Sequence, residues 1–409
     1  MRRFFLPFLA LVLLLAAGAP RAAPQVQLPR NGLDAAELAL VINEEDPLSR
    51  EIGAYYARAR RIPPQNVIRV RFAPGRAALP RQEFAALREE ILRATPPQAQ
   101  AYAVAWTRPW RAGCMSLTSA LAFGFDERFC SRQCGATAAS PYFNSASLYP
   151  ARDHGMRPAM LLAAENFEQA KALIDRGVAS DSSFPAGRAY LLETPDRARS
   201  VRAAAFEQTA RELGGVFPVE VEHAAAIVDR HDVLFYFTGL ARVPALETLG
   251  FLPGALADHL TSFGGQLTDS SQMSSLRWLE AGATASYGTV VEPCNHPQKF
   301  PLPVAAMFHY ATGATAIEAY WKSVAWPGEG VFIGEPLARP FAPLLRPLGG
   351  GEYALTLFSP RAGRLRLQRA ASPMGPFRLI GQGPAISRGL NRLRFSLPED
   401  DGFYRLQWP

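Results

Sequence analysis

Apolar positions along the first 340 residues follow two alternating periods. Short unbroken apolar runs are separated by segments with helical spacing. The runs LALVIN (Leu38 to Asn43), AYAVAW (Ala101 to Trp106), AMLLAA (Ala159 to Ala164), RAYLLE (Arg188 to Glu193), DVLFYF (Asp232 to Phe237) and TASYGTVV (Thr284 to Val291) read as buried strands. NVIRVRF (Asn66 to Phe72) and VFPVEV (Val216 to Val221) read as further strands. Asp46-Pro47 predicts a helix start, with Asp as N-cap and Pro at the first helical position. Pro80 to Ala94 places Phe84, Leu87, Ile91 and Leu92 at helical spacing. Asn166 caps a predicted helix through Ile174, and a long helix is predicted from Pro195 to Leu213, stopped by Gly214-Gly215. Ala257 to Ala283 reads as helix-like, with the helix itself over Asp269 to Ala281 and Gly282 as its stop. Helices also follow around Pro303 to Tyr310 and Ala316 to Ala325. This alternation predicts an α/β fold, a mostly parallel sheet with helices on both faces.

The pattern breaks twice. From Thr107 to Pro158 the periodicity is lost, and three of the four cysteines fall there. A segment this long is expected to be functional, and it is read as an insertion or lid over the sheet edge. After Gly349-Gly350-Gly351 the chain alternates in the β period, from EYALTLF (Glu352 to Phe358) to FYRLQW (Phe403 to Trp408). That spacing predicts a small all-β sandwich at 350–409, following an α/β domain at 24–345. The β segment contains no cysteine or histidine, so catalysis is not expected there.

The first residues change the picture. Met1-Arg2-Arg3 precedes an apolar core from Phe4 to Leu15 and the small residues Ala16 to Ala19. This is a signal-peptide pattern, assigned to 1–23, with an uncleaved anchor as the alternative. The expected location is therefore periplasmic, extracellular or at the cell envelope. In that setting Cys114, Cys130, Cys134 and Cys294 are disulfide candidates. Zinc is the rival reading, and it lacks a CxxC pair and nearby histidines. The formal charge is +7, almost all from arginine, since Lys171, Lys299 and Lys322 are the only lysines. The arginines are scattered with no basic run among aromatics, so nucleic acid is not an expected partner. No GxGxxG or GxxxxGK[ST] follows a strand, which disfavours a dinucleotide fold or P-loop. No cofactor or metal is expected.

Parallel strands present their carboxyl ends to one edge, where polar residues can converge on a pocket. On that basis Asn43, Glu44, Arg108, Thr238, Asp258 and Glu292 are candidate binding residues. His259, Cys294 and His296 are the candidate catalytic ones, because imidazole beside carboxylate suits a general base and thiol near imidazole suits a nucleophile. Adjacent strand residues face opposite ways, so Asp258 and His259 need not touch. For Cys294 the competing reading is a disulfide to the insertion, with Cys114 as the favoured partner.

Four blocks resemble an uncharacterised family of exported bacterial proteins. They are NEEDPLSREIGAYYARARRIPPQNVIRV (Asn43 to Val70), WTRPWRAGCMSLTSALAFGFDERFC (Trp106 to Cys130), the stretch Phe263 to Pro301, and GEGVFIGEPLARPF (Gly328 to Phe341). A strand ending in Thr238-Gly239, a GATASYG strand and a late GEPL before a β-sandwich are also similar to gingipain-like cysteine peptidases. That resemblance implies a caspase-like sheet followed by an immunoglobulin-like domain. It also implies a histidine after the Thr-Gly turn and a cysteine ending the next strand. Leu240 stands at the first place, and Leu256 to Gly264 contains no cysteine. The expectation is an exported, non-catalytic binding or scaffolding protein for an unknown peptide or cell-envelope partner, on a degenerate peptidase-like fold. The alternative is a diverged cysteine peptidase-like hydrolase.

Overall fold

The structure is a computed structural model that describes residues 25–268, 270–398 and 400–408. The signal segment at 1–23 lies outside the described residues, as does Asp269. A ten-stranded sheet forms the centre. In chain order its strands are β1 (Leu38–Asn43), β2 (Val67–Val70), β3 (Ala101–Val104), β4 (Ala159–Leu161) and β5 (Arg188–Glu193). They continue as β6 (Val219–His223), β7 (Val233–Gly239), β8 (Phe251–Leu260), β9 (Ala285–Thr289) and β10 (Gly330–Gly334). Their spatial order is β6-β5-β7-β8-β9-β10-β4-β3-β1-β2.

β6-β5-β7-β8-β9 and β4-β3-β1-β2 pair in parallel, and β10 between them runs antiparallel to β9. Contacts beyond the strand ends gather the carboxyl ends of the parallel strands at one edge: Arg108, past β3, donates to Thr268, past β8, and Glu165, past β4, pairs with Arg277, ahead of β9.

Local chemistry starts the elements where the sequence signals place them. The Asp46 carboxylate accepts the Leu48 N–H at 3.0 Å and opens the helix Pro47–Ala59. Asn166 accepts from Gln169 at 3.0 Å and opens the helix Phe167–Ser180. Strand pleating then sorts side chains by face. Leu38, Leu40 and Ile42 of β1 join a core with Ile52 and Tyr56, while Ala39 and Val41 join a second core with Phe84 and Ile91. Helices thus cover both faces.

Three expectations are corrected. Phe251–Leu260 is a ten-residue strand rather than part of a helix-like segment, and the helix after it is confined to Leu276–Ala281. Pro195 to Leu213 is not one helix: a 3-10 turn at Val201–Ala205 leads into a helix at Phe206–Leu213. The inserted segment is not only a lid. Its Trp110, Met115, Leu117 and Leu121 are buried in the second core, and its helix Leu117–Phe123 lies on the sheet face.

Two smaller sheets hold the C-terminal strands. One comprises Leu344–Gly349, Glu352–Ser359 and Gly389–Ser396; the other Gly363–Ala370, Arg378–Ile386, Phe403–Gln407 and the N-terminal Gln25–Gln27. Leu355 and Leu357 of the first share an apolar cluster with Leu365, Ile386 and Leu406 of the second.

The loop leaving β8 crosses closely over β9. The Gly265 N–H donates to the Thr289 carbonyl at 2.8 Å. A Cβ on Gly288 would stand 2.5 Å from the Gly264 and Gly265 backbone. Backbone cannot yield as a flexible side chain can, so glycine is required at this crossing. We expect Gly288→Val to lower the unfolding free energy by about 1–3 kcal/mol or more, the usual cost of overpacking, as read from urea denaturation midpoints.

Candidate functional site

The carboxyl ends of β5, β7, β8 and β9 lie together at one edge of the sheet. A pocket of about 180 Å³ opens there, lined by Arg199 from the segment after β5, Leu260, Thr261 and Ser262 at the end of β8, and Glu292 to Asn295 after β9. Arg199 is held in place from two sides. Its Nη1 pairs with Asp196 at 2.7 Å and its Nε donates to the Thr261 hydroxyl at 3.1 Å. Glu292 Oε1 accepts the Cys294 N–H at 2.8 Å. Among the described residues, Arg199 Nη2 and Glu292 Oε2 make no hydrogen bond. The pocket therefore presents one cationic donor and one anionic acceptor on a polar floor.

A cross-link and a buried ion pair fix its outer wall. Cys294 is bonded to Cys134, and Cys114 to Cys130. Cys294 thus bonds to the insertion through Cys134, not through Cys114, and all four sulfurs are oxidised, which removes the zinc alternative. His296 Nε2 lies 2.6 Å from the Cys134 carbonyl, and its ring packs on Trp326. Just beyond, the Lys299 ammonium is buried against Glu329 at 2.8 Å and donates to Ser131 Oγ at 2.8 Å. Glu329 also accepts the Ser131 N–H at 2.8 Å. Burial pushes the Glu329 carboxyl up, and Lys299 holds it back. Breaking such a pair by removing one partner costs several kcal/mol, because the other charge stays buried.

The candidate catalytic residues do not assemble. Cys294 lines the pocket as a disulfide and offers no thiolate. His259 is fully buried under the pocket floor. Its Nδ1 accepts from the Trp278 indole N–H at 2.9 Å, and its Nε2 meets the Met273 carbonyl at 3.1 Å. Accepting at Nδ1 places the single ring proton on Nε2, and burial pushes its pKa down to about 3. It is a satisfied core imidazole with no access to a substrate proton. Asp258 points to the opposite face, as strand alternation requires. There it makes a close ion pair with buried Arg202 at 2.6 Å, outside good hydrogen-bond angles. Burial raises its pKa to about 6 against the pull of Arg202.

The candidate binding residues do not all reach the pocket. Asn43 is buried, accepting from the Glu45 N–H and donating to the Phe72 carbonyl, and Glu44 pairs with Arg69. Arg108 donates to Thr268 at 2.5 Å. These three do not line the pocket. Thr238 is buried in β7, and its carbonyl accepts from Arg202. Only Glu292 and Cys294 reach the pocket among the expected residues. Arg199 went unrecognised because Pro195 to Leu213 read as one helix. Thr261 and Ser262 went unrecognised because β8 read as helix-like. The signal that could have found Thr261 and Ser262 was the apolar run FLPGALADHL, bounded by glycine at Gly250 and Gly264.

No family model matches this chain, and no curated protein matches it. A solved structure described as "Structure of Protease" aligns at a TM-score of 0.38 and 10% identity, over 91% of this chain and 97% of that one. Among the described residues, no helix is long and apolar enough to cross a membrane.

The buried histidines set an acid limit. His259 and His309 both have pKa values near 3 in the folded chain, against an ordinary 6.5. At these two sites the unfolded chain therefore binds more protons between those values, and their contribution disfavours folding as pH drops below about 6.5. Asp258 acts in the opposite sense between its ordinary value and about 6, and Glu37, Asp181, Glu280 and Glu329, also raised by burial, act with it. The histidine contribution is read by difference: between pH 6.5 and pH 4 the melting temperature of His259→Gln should fall less, or rise more, than that of the unsubstituted chain, while its value at pH 7 is lower.

The disulfides predict a second outcome. Maleimide labelling of the unreduced, unfolded chain should modify no thiol, and labelling after reduction should modify four. Replacing both Cys134 and Cys294 with serine should cost about 2–4 kcal/mol in denaturant unfolding.

Proposed function

We propose that this is an exported binding protein, with a peptidase-like sheet that recognises a short peptide without hydrolysing it. The observation that carries this reading is the pocket at the carboxyl edge of the β5–β9 block. It holds an outward guanidinium edge and carboxylate oxygen, Arg199 Nη2 and Glu292 Oε2, and its cysteine is cross-linked. A donor and an acceptor of opposite charge suit a zwitterionic or peptide terminus. The cavity of about 180 Å³ is below the usual 300–1,000 Å³ of small-molecule sites, so it suits one residue of a longer ligand. The parallel block with its crevice at a carboxyl edge supports the caspase/gingipain-like reading of the fold. Two disulfides and the leader pattern at 1–23 support export to an oxidising compartment.

Peptidase chemistry needs a thiolate and a base within hydrogen-bond reach. The buried, neutral His259 and the cross-linked Cys294 supply neither. We expect the oxidised protein to retain selected members of a peptide array without cleaving them. Arg199→Ala and Glu292→Gln should each weaken that retention about tenfold, the equivalent of one lost ion pair. Cleavage that disappears in Cys294→Ala would instead establish the hydrolase alternative.

A further inference from the structure

A second, larger cavity of about 470 Å³ lies between the helix Pro303–Ala311, the inserted segment and the C-terminal strands. Among the described residues its charged lining is basic: Lys322, Arg361, and Arg30, which is paired with Glu37. Its apolar walls are Leu148, Phe308, Phe358 and Trp408.

Lys322 is the decisive residue. It is 2% exposed, yet no carboxylate comes within ion-pair distance of its ammonium among the described residues. Its Nζ donates to the Ser147 carbonyl at 2.9 Å and sits 5.0 Å from the Tyr142 ring centre. Glu318 acts on it from farther away; its Oε2 accepts from the Thr315 hydroxyl and the backbone N–H groups of Leu33 and Thr315, while its Oε1 makes no hydrogen bond among the described residues. Burial therefore pushes the Lys322 pKa down. An ammonium taken out of water without a carboxylate in contact is costly, and an anion bound in the cavity would lower that cost. Arg361 stands at the exposed rim, where its guanidinium lies over the Phe308 ring face at 5.2 Å. His309 adds no positive charge, because burial and Lys322 hold its pKa near 3 while its Nε2 engages Asn144.

We propose that this cavity binds a small carboxylate with an apolar body, such as an aryl-alkyl or short acyl carboxylate. The carboxylate pairs with Lys322 and Arg361, and the apolar body lies against Phe308, Phe358 and Trp408. The volume falls within the range of small-molecule sites. This site is independent of the peptide pocket and of the function assigned to it.

The test is calorimetry on the full chain with 4-phenylbutyrate and with 4-phenylbutanol, its uncharged counterpart. We expect one phenylbutyrate per chain, bound at least about tenfold more tightly than the alcohol. Arg361→Gln should reduce that preference several-fold and Lys322→Met should abolish it, while Glu292→Gln leaves it unchanged. Circular dichroism reports whether Lys322→Met folds; if it does not, exposed Arg361→Gln alone decides. Absence of saturable binding, equal affinity for acid and alcohol, or a preference unaffected by Arg361→Gln would overturn the assignment.

Discussion

The antiparallel seam between β9 and β10 is the constraint on which the architecture rests. Five strand partners, from Ala285 with Gly334 to Thr289 with Gly330, set β10 against the direction of β9 in an otherwise parallel neighbourhood. Side chains make the seam possible. Tyr287 lies where a Cβ on Gly330 would be, with its hydroxyl 1.8 Å from that position, and donates to the Lys299 carbonyl at 2.5 Å. The small residue and the large one are complementary across the seam. The same tyrosine thus ties the strand junction to the segment that walls the pocket. The pocket gathers next to that segment, just beyond the carboxyl ends of β8 and β9.

That pocket is held from outside by chain far away in sequence. Cys134 is 160 residues from Cys294, and Ser131 meets Lys299 and Glu329. A covalent link, a buried ion pair and two hydrogen bonds converge within a few residues. Buried ion pairs are weak sources of net stability, but they penalise alternative arrangements, which leave a charge unpaired. The result is a rigid rim around Arg199 and Glu292. Rigid presentation of a few polar groups lowers the ordering cost of binding. The same oxidised rim withholds the sulfur that thiol chemistry would require.

Asp258 and His259 illustrate how neighbours in sequence become strangers in space. Pleating sends Asp258 toward Arg202 and the core that contains Tyr287, and sends His259 toward Trp278 on the other face. Each group is buried and each has its pKa displaced, upward for the acid and downward for the imidazole. Desolvation disfavours the charged form of both, which explains the opposite directions. A shifted pKa here marks burial in the scaffold, whereas the pocket's groups keep contact with solvent.

The sequence by itself determined the local elements: the β1 run, the caps at Asp46 and Asn166, the broken pattern after Thr107, and the β alternation beyond Gly351. These signals are carried by residues within a few positions of one another, where backbone geometry and side-chain period act directly. The strand β8 was hidden because Pro253, Gly254 and the Asp258-His259 pair interrupt its apolar run. Glu292 and Cys294 were legible as pocket residues from their place beyond a strand, whereas Arg199, Thr261 and Ser262 were not. Only the tertiary structure decided the reversal of β10 against β9, the pairing of Cys294 with Cys134, and the burial that neutralises His259. Each of those depends on contacts between distant parts of the chain, and no local period encodes which distant surface a strand or a sulfur will meet.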